Sequence, residues 1–108
     1  MNPSVFSQAV DQTFPNLDEE NRTEIKNKVF IHMVEYLKER VYANDTEGLQ
    51  KLEQITQNEP ATEKRVGIYL KYIIEKFASL TSEEQTKYDT EMDNELTRVM
   101  HEIYQAYE

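Results

Sequence analysis

Cysteine and tryptophan are absent from this chain of 108 residues, glycine occurs twice and proline three times. Without cysteine there is no disulfide, no thiolate zinc site and no cysteine nucleophile. That fits a reducing compartment, and the expected location is the cytoplasm. So few glycines and prolines cannot supply the many tight turns of an all-β fold. Gly48 and Gly67 also stand alone, which leaves no glycine-rich loop to cradle a phosphate. No window approaches the roughly 20 apolar residues needed to span a bilayer. The opening "MNPSVFSQAVDQTFPN" has neither a basic start nor a sustained apolar run, so a signal peptide is not expected.

Positive charge is scarce too. Twelve Lys and Arg face 21 Asp and Glu, a formal net of −9. Phosphate backbones and anionic membrane surfaces attract the opposite sign, so neither nucleic acid nor membrane is expected as a direct partner. The imbalance is uneven: residues 81–108 hold eight acids and two bases, a net of −6, which leaves −3 for the first 80. The C-terminal segment is the acidic pole.

What remains favours helices. Charged residues make up 31% of the chain and apolar ones 38%, enough for one core and one domain over residues 1–108. The stretch "VFIHMVEYL", Val29 to Leu37, is the densest apolar run. On a helical wheel Ile25, Val29, Phe30, Met33, Val34, Tyr36, Leu37 and Val41 share a broad sector, and Ile31 and Tyr42 extend it past half the circumference. Lys28, Glu35 and Glu39 hold the polar strip. A half-buried strand would alternate every second residue, and this run does not. Leu17 to Ala43 therefore reads as one long helix enclosed on two sides, with Asn16 or Asp18 as its cap.

Before it, "PSVFSQAVDQTF" predicts a short helix with Val5, Phe6, Ala9 and Val10 on one side, broken at "FPN". After it, "EGLQKLEQI" predicts a short helix with Leu49, Leu52 and Ile55 on a narrow edge. Pro60 suits the first turn of the next helix. There Val66, Tyr69, Leu70, Ile73, Ile74, Phe77 and Leu80 form a stripe. Gly67 lies at its edge, where a small residue would let a neighbouring helix come close. Thr81-x-x-Glu84 is a capping-box pattern. The last helix then places Tyr88, Met92, Leu96, Val99, Met100, Ile103 and Tyr107 on one face. The fold class is all-α: a compact bundle of four main helices plus a short N-terminal one.

Constellations with chemical meaning are few. His32 lies at the edge of the long helix's apolar arc and His101 on the polar side of the last helix. Neither belongs to a Glu-x-x-His or His-x-x-x-His pattern. Asp89, Glu91 and Asp93 begin like a calcium loop, but Asn94 stands where its glycine is required and Met100 where its bidentate Glu is required. No cofactor, metal or catalytic residue is expected, and the chain reads as non-enzymatic. Glu84, Glu91, Glu95 and Glu102 fall on one flank of the last helix beside Arg98. They form either a solvated face or an acidic surface that meets a basic partner. Ile31, Tyr42, Ile68 and Tyr72 lie off the main stripes of two helices. Either the short N-terminal helix covers them, or they are exposed apolar patches that mark a partner surface.

The succession "LDEENRTEIKNKVFIHMVEYLKERV", "DTEGLQKLEQI" and "YLKYIIEKF" resembles uncharacterised small acidic all-helical proteins of reduced-genome bacteria. The likeness covers roughly residues 17–77 and rests on helix rhythm and acid-rich helix starts. It implies a bacterial helical protein and assigns no site residue. The expected function is a protein–protein interaction module, self-associating in one version. The alternative is a charge mimic whose acidic helix occupies the nucleic-acid-binding surface of another protein.

Overall fold

The computed structural model describes residues 4–107. It contains five helices: α1 (Ser4–Thr13), α2 (Glu19–Val41), α3 (Thr46–Thr56), α4 (Thr62–Ala78) and α5 (Ser82–Ala106). No strand occurs among the described residues. Pro3, where the expected N-terminal helix would begin, lies outside them.

The helix ends follow local chemistry. Asp18 accepts a hydrogen bond from the Asn21 N–H at 3.0 Å, capping α2, while Glu19 and Glu20 in its first turn meet the positive end of the helix dipole. At the start of α5 the Thr81 hydroxyl accepts from the Glu84 N–H at 3.2 Å. The Glu84 carboxylate accepts from the Thr81 N–H at 3.2 Å, so the capping box is closed in both directions. The same turn also closes α4. The Gln85 side-chain amide donates to the Phe77 and Leu80 carbonyls at 3.0 and 3.2 Å, satisfying acceptors that a helix end leaves open. Pro60 does not stand in the first turn of α4, where its residue type suggested it: Ala61 is the N-cap and the helix begins at Thr62, two positions later.

α2 is the spine. α4 and α5 both pack on it, α1 crosses onto α2 and α5, and α3 sits on α4. Val29, Met33, Val34 and Leu37 are all but sealed from solvent, while Lys28, Glu35 and Glu39 remain exposed. Each buried aliphatic side chain contributes about 1.5–3 kcal/mol of hydrophobic free energy, so this one helix carries much of the driving force. The other helices contribute Phe6 and Val10, Leu52, Val66 and Ile73, and Met92 and Leu96 to the same core.

The result is a slab of 43 × 35 × 19 Å, thin enough for only about two helix layers. Its radius of gyration is 14.8 Å, larger than the about 13 Å typical of this length. Some helix flanks expected in the core are open to solvent. Ile74, placed by its spacing in the α4 core stripe, is 42% exposed; Tyr107, placed on the core face of α5, is 53% exposed. Gly67 differs as well: among the described residues nothing beyond its own stretch of helix lies within 4 Å of where its Cβ would stand, so no helix approaches there.

Candidate interaction surfaces

The loop between α2 and α3 is fixed by one carboxylate. Asp45 accepts from the Gly48 N–H at 2.9 Å, capping α3, and from the Lys76 ammonium on α4 at 2.8 Å. Gly48 suits this because a Cβ there would lie 2.4 Å from Asp45 Oδ2. Lys76 holds the Asp45 carboxyl below its ordinary pKa, and the Gly48 N–H acts in the same direction. In return, Asp45 raises the Lys76 ammonium above its ordinary value. Further along α3 the buried Thr56 hydroxyl donates within bonding distance of the Tyr69 hydroxyl on α4, at 3.3 Å, and of the Leu52 carbonyl, at 3.1 Å. α3 is thus fastened to α4 at both ends.

This fastening decides the fate of the expected apolar surface. Tyr42 is 7% exposed, and its hydroxyl donates to the Tyr72 carbonyl at 3.4 Å. Burial raises its pKa above the phenol value. Tyr42 is therefore a core residue, which corrects its placement in an exposed patch. The N-terminal helix is not what lies over this region. Tyr42 and Tyr72 border a hollow of about 380 Å³ whose other wall is α3, with Leu52 and Ile55. Ile31 lies apart from them, beside Asn27, Phe30, Glu63 and Val66 where α4 begins. Ile31, Ile68 and Tyr72 are half-buried against the core. The four residues do not form one surface.

The acidic flank of α5 is also partly engaged. Glu84 closes the capping box, and Arg98 binds both Glu95 and Glu102. Glu95 faces His32 on α2 at 3.9 Å, and Glu91 faces Arg40 at 4.0 Å. One Glu91 oxygen is shielded from solvent without a hydrogen-bond partner among the described residues. Each of the four carboxylates thus has an internal neighbour. His101 is exposed on the outer side of α5. Among the described residues no cluster of three His, Asp or Glu side chains is arranged to hold a metal ion.

A second surface was not singled out by periodicity. Phe14, Pro15 and Leu17 at the α1–α2 corner, with Tyr104 and Tyr107 at the end of α5, border a hollow of about 460 Å³. Phe14 is buried, with ring centroids 6.0 Å from Tyr104 and 5.6 Å from Tyr107. Tyr104 and Tyr107 are 44% and 53% exposed, respectively. The signal was present in the sequence as Phe14 before Pro15 and two tyrosines one turn apart. What the wheel could not give was the meeting of chain segments 90 residues apart.

No helix of the described residues is long and apolar enough to cross a membrane. The chain matches no protein-family model, no curated protein sequence and no solved structure.

Proposed function

We propose that this chain is a non-enzymatic helical protein–protein interaction module, with self-association as one version of that role. The carrying observation is the set of large apolar side chains left open to solvent: Ile55, Ile74, Tyr104 and Tyr107, each more than 40% exposed. Tyr104 and Tyr107 sit together over Phe14, and exposed aromatic side chains grouped in this way are characteristic of surfaces that bury themselves against another protein. The partner is another protein or a second copy, with neither nucleic acid nor membrane contacted directly. A bacterial cytoplasmic setting belongs to the same proposal. It is supported by the missing cysteines and by the resemblance to small acidic helical proteins.

The charge-mimic alternative draws on the net −9 and the acidic last helix. It loses ground because Glu84, Glu91, Glu95 and Glu102 already have internal neighbours. Light scattering behind size-exclusion chromatography, joined to affinity capture with mass spectrometry, tests the module. A strictly monomeric chain that captures no protein would remove it. A captured nucleic-acid-binding protein whose affinity collapses with added salt would favour the mimic.

A further inference from the structure

We propose that the hollow at the α1–α2 corner docks an extended, proline-containing segment of a partner protein, with basic residues beside the proline run. This rests on the interaction-module reading and names its site and ligand class.

The wall of this hollow is uncharged and partly aromatic. In a chain with 31% charged residues, none of the side chains bordering this hollow among the described residues is charged. Phe14 forms the floor, and the rings of Tyr104 and Tyr107 stand one helical turn apart above it, both open to solvent. Proline-rich segments dock in aromatic-lined grooves because their rings pack flat on aromatic faces. The bound segment also loses little entropy, being already extended when free.

The rim also carries hydrogen-bond donors. Donors at the rim are the phenol hydroxyls of Tyr104 and Tyr107 and the exposed amides of Gln12 and Asn16. A polyproline-type backbone leaves its carbonyls unpaired and so can accept from all of them. A helix has no such free groups along its length, and an added strand would need a sheet edge, which the described residues lack.

Charge points the same way. Asp18, Glu19 and Glu20 follow Leu17 of the hollow directly and are exposed. None has an ion-pair partner among the described residues, whereas nearby Asp11 is held by Lys26 at 2.8 Å and Arg22 at 3.6 Å. With Asp18 engaged as the α2 cap, Glu19 and Glu20 are the acidic groups left without a partner among the described residues next to this uncharged aromatic hollow, and they suit Lys or Arg beside an uncharged proline anchor. The corner is also set in advance. Phe14 donates its N–H to the Val10 carbonyl at 2.9 Å, and Leu17 donates to the Phe14 carbonyl at 3.3 Å, closing a turn with Pro15 inside it.

Fluorescence anisotropy with a labelled peptide carrying arginines ahead of a proline run tests the proposal. The expected result is saturable binding that Tyr104→Ala or Tyr107→Ala weakens about tenfold in variants that circular dichroism shows to be folded. The double change Glu19→Gln with Glu20→Gln should weaken it less and flatten its salt dependence. No saturable binding, or tyrosine variants that bind as the unaltered chain does, would overturn the proposal. Amide shifts on peptide addition that map away from Phe14 and Tyr104 would overturn it too, yet leave an interaction module in place. So would a self-dimer that Tyr107→Ala dissociates, because the occupant would then be a second copy.

Discussion

Lys76 on α4 reaches across to Asp45 at the start of α3, with Nζ 2.8 Å from Oδ2, while the same carboxylate caps α3 through the Gly48 N–H. One acidic side chain thus sets both where α3 begins and where it rests. The pair is partly exposed, so its stabilising effect is discounted by solvent screening.

Its pH dependence has a definite sign. The Asp45 carboxyl is lowered from 3.8, so its contribution is present above that value and is lost as pH falls through the folded-state pKa. The Lys76 ammonium is raised from 10.5, so its contribution is present below that value and is lost as pH rises through the folded-state pKa. Asp45→Asn should therefore lower the unfolding temperature at neutral pH, and the gap to the unaltered chain should close in strong acid. Thermal melts followed by circular dichroism across the acid range check this; a gap that persists at the acid end counts against it.

The two glycines should respond in opposite directions. At Gly67 a methyl group meets open space, so Gly67→Ala gains helix propensity of about 1 kcal/mol, equivalent to roughly 4 °C in melting temperature. At Gly48 the same methyl group collides with the Asp45 carboxylate. Gly48→Ala should lower the melting temperature despite alanine's better propensity, because the carboxylate must leave the cap. Paired calorimetry of both variants would show it.

Adjacent isoleucines make the sharpest test of the core. Ile73 has no exposure and Ile74 is 42% exposed. Ile73→Ala should cost about 2–5 kcal/mol, and Ile74→Ala about 0.5 kcal/mol or less. Urea unfolding of both variants measures the difference. Equal losses would mean that Ile74 is covered in solution.

At the α4–α5 turn, Thr81→Ala should cost about 1 kcal/mol by opening the capping box, and Thr81→Ser should restore most of it. Hydrogen exchange at the Glu84 amide reports the same event locally.

The fold is legible in the sequence where neighbours in the chain decide the outcome. The wide arc of α2 announced a helix enclosed by others, because an apolar sector of that width cannot be hidden by a single partner. Thr81 with Glu84 announced a helix start, and Asp18 another. The fold is not legible where the decision belongs to packing. Tyr42 looked like a stray aromatic because nothing in its own helix reveals that α3 folds back beside it. Ile74 looked like core because a 100° step around α4 separates it from Ile73, and only the position of α2 tells which flank is covered. The acidic flank of α5 was visible, but not that Arg40 and His32 on α2 would face it. The corner hollow joins residues near both ends of the chain, and no window of sequence contains both.

Because α5 is needed to cover one side of α2 and α1 rests on both, synthesis imposes an order on this molecule. While a ribosome is still making residues beyond Ala78, the nascent chain has its spine complete but bare along one flank. Met92, Leu96 and Val99 reach that flank only after the tunnel has released them. The growing polypeptide therefore exposes its stickiest stretch longest, and a stall before α5 should make it a client for chaperones.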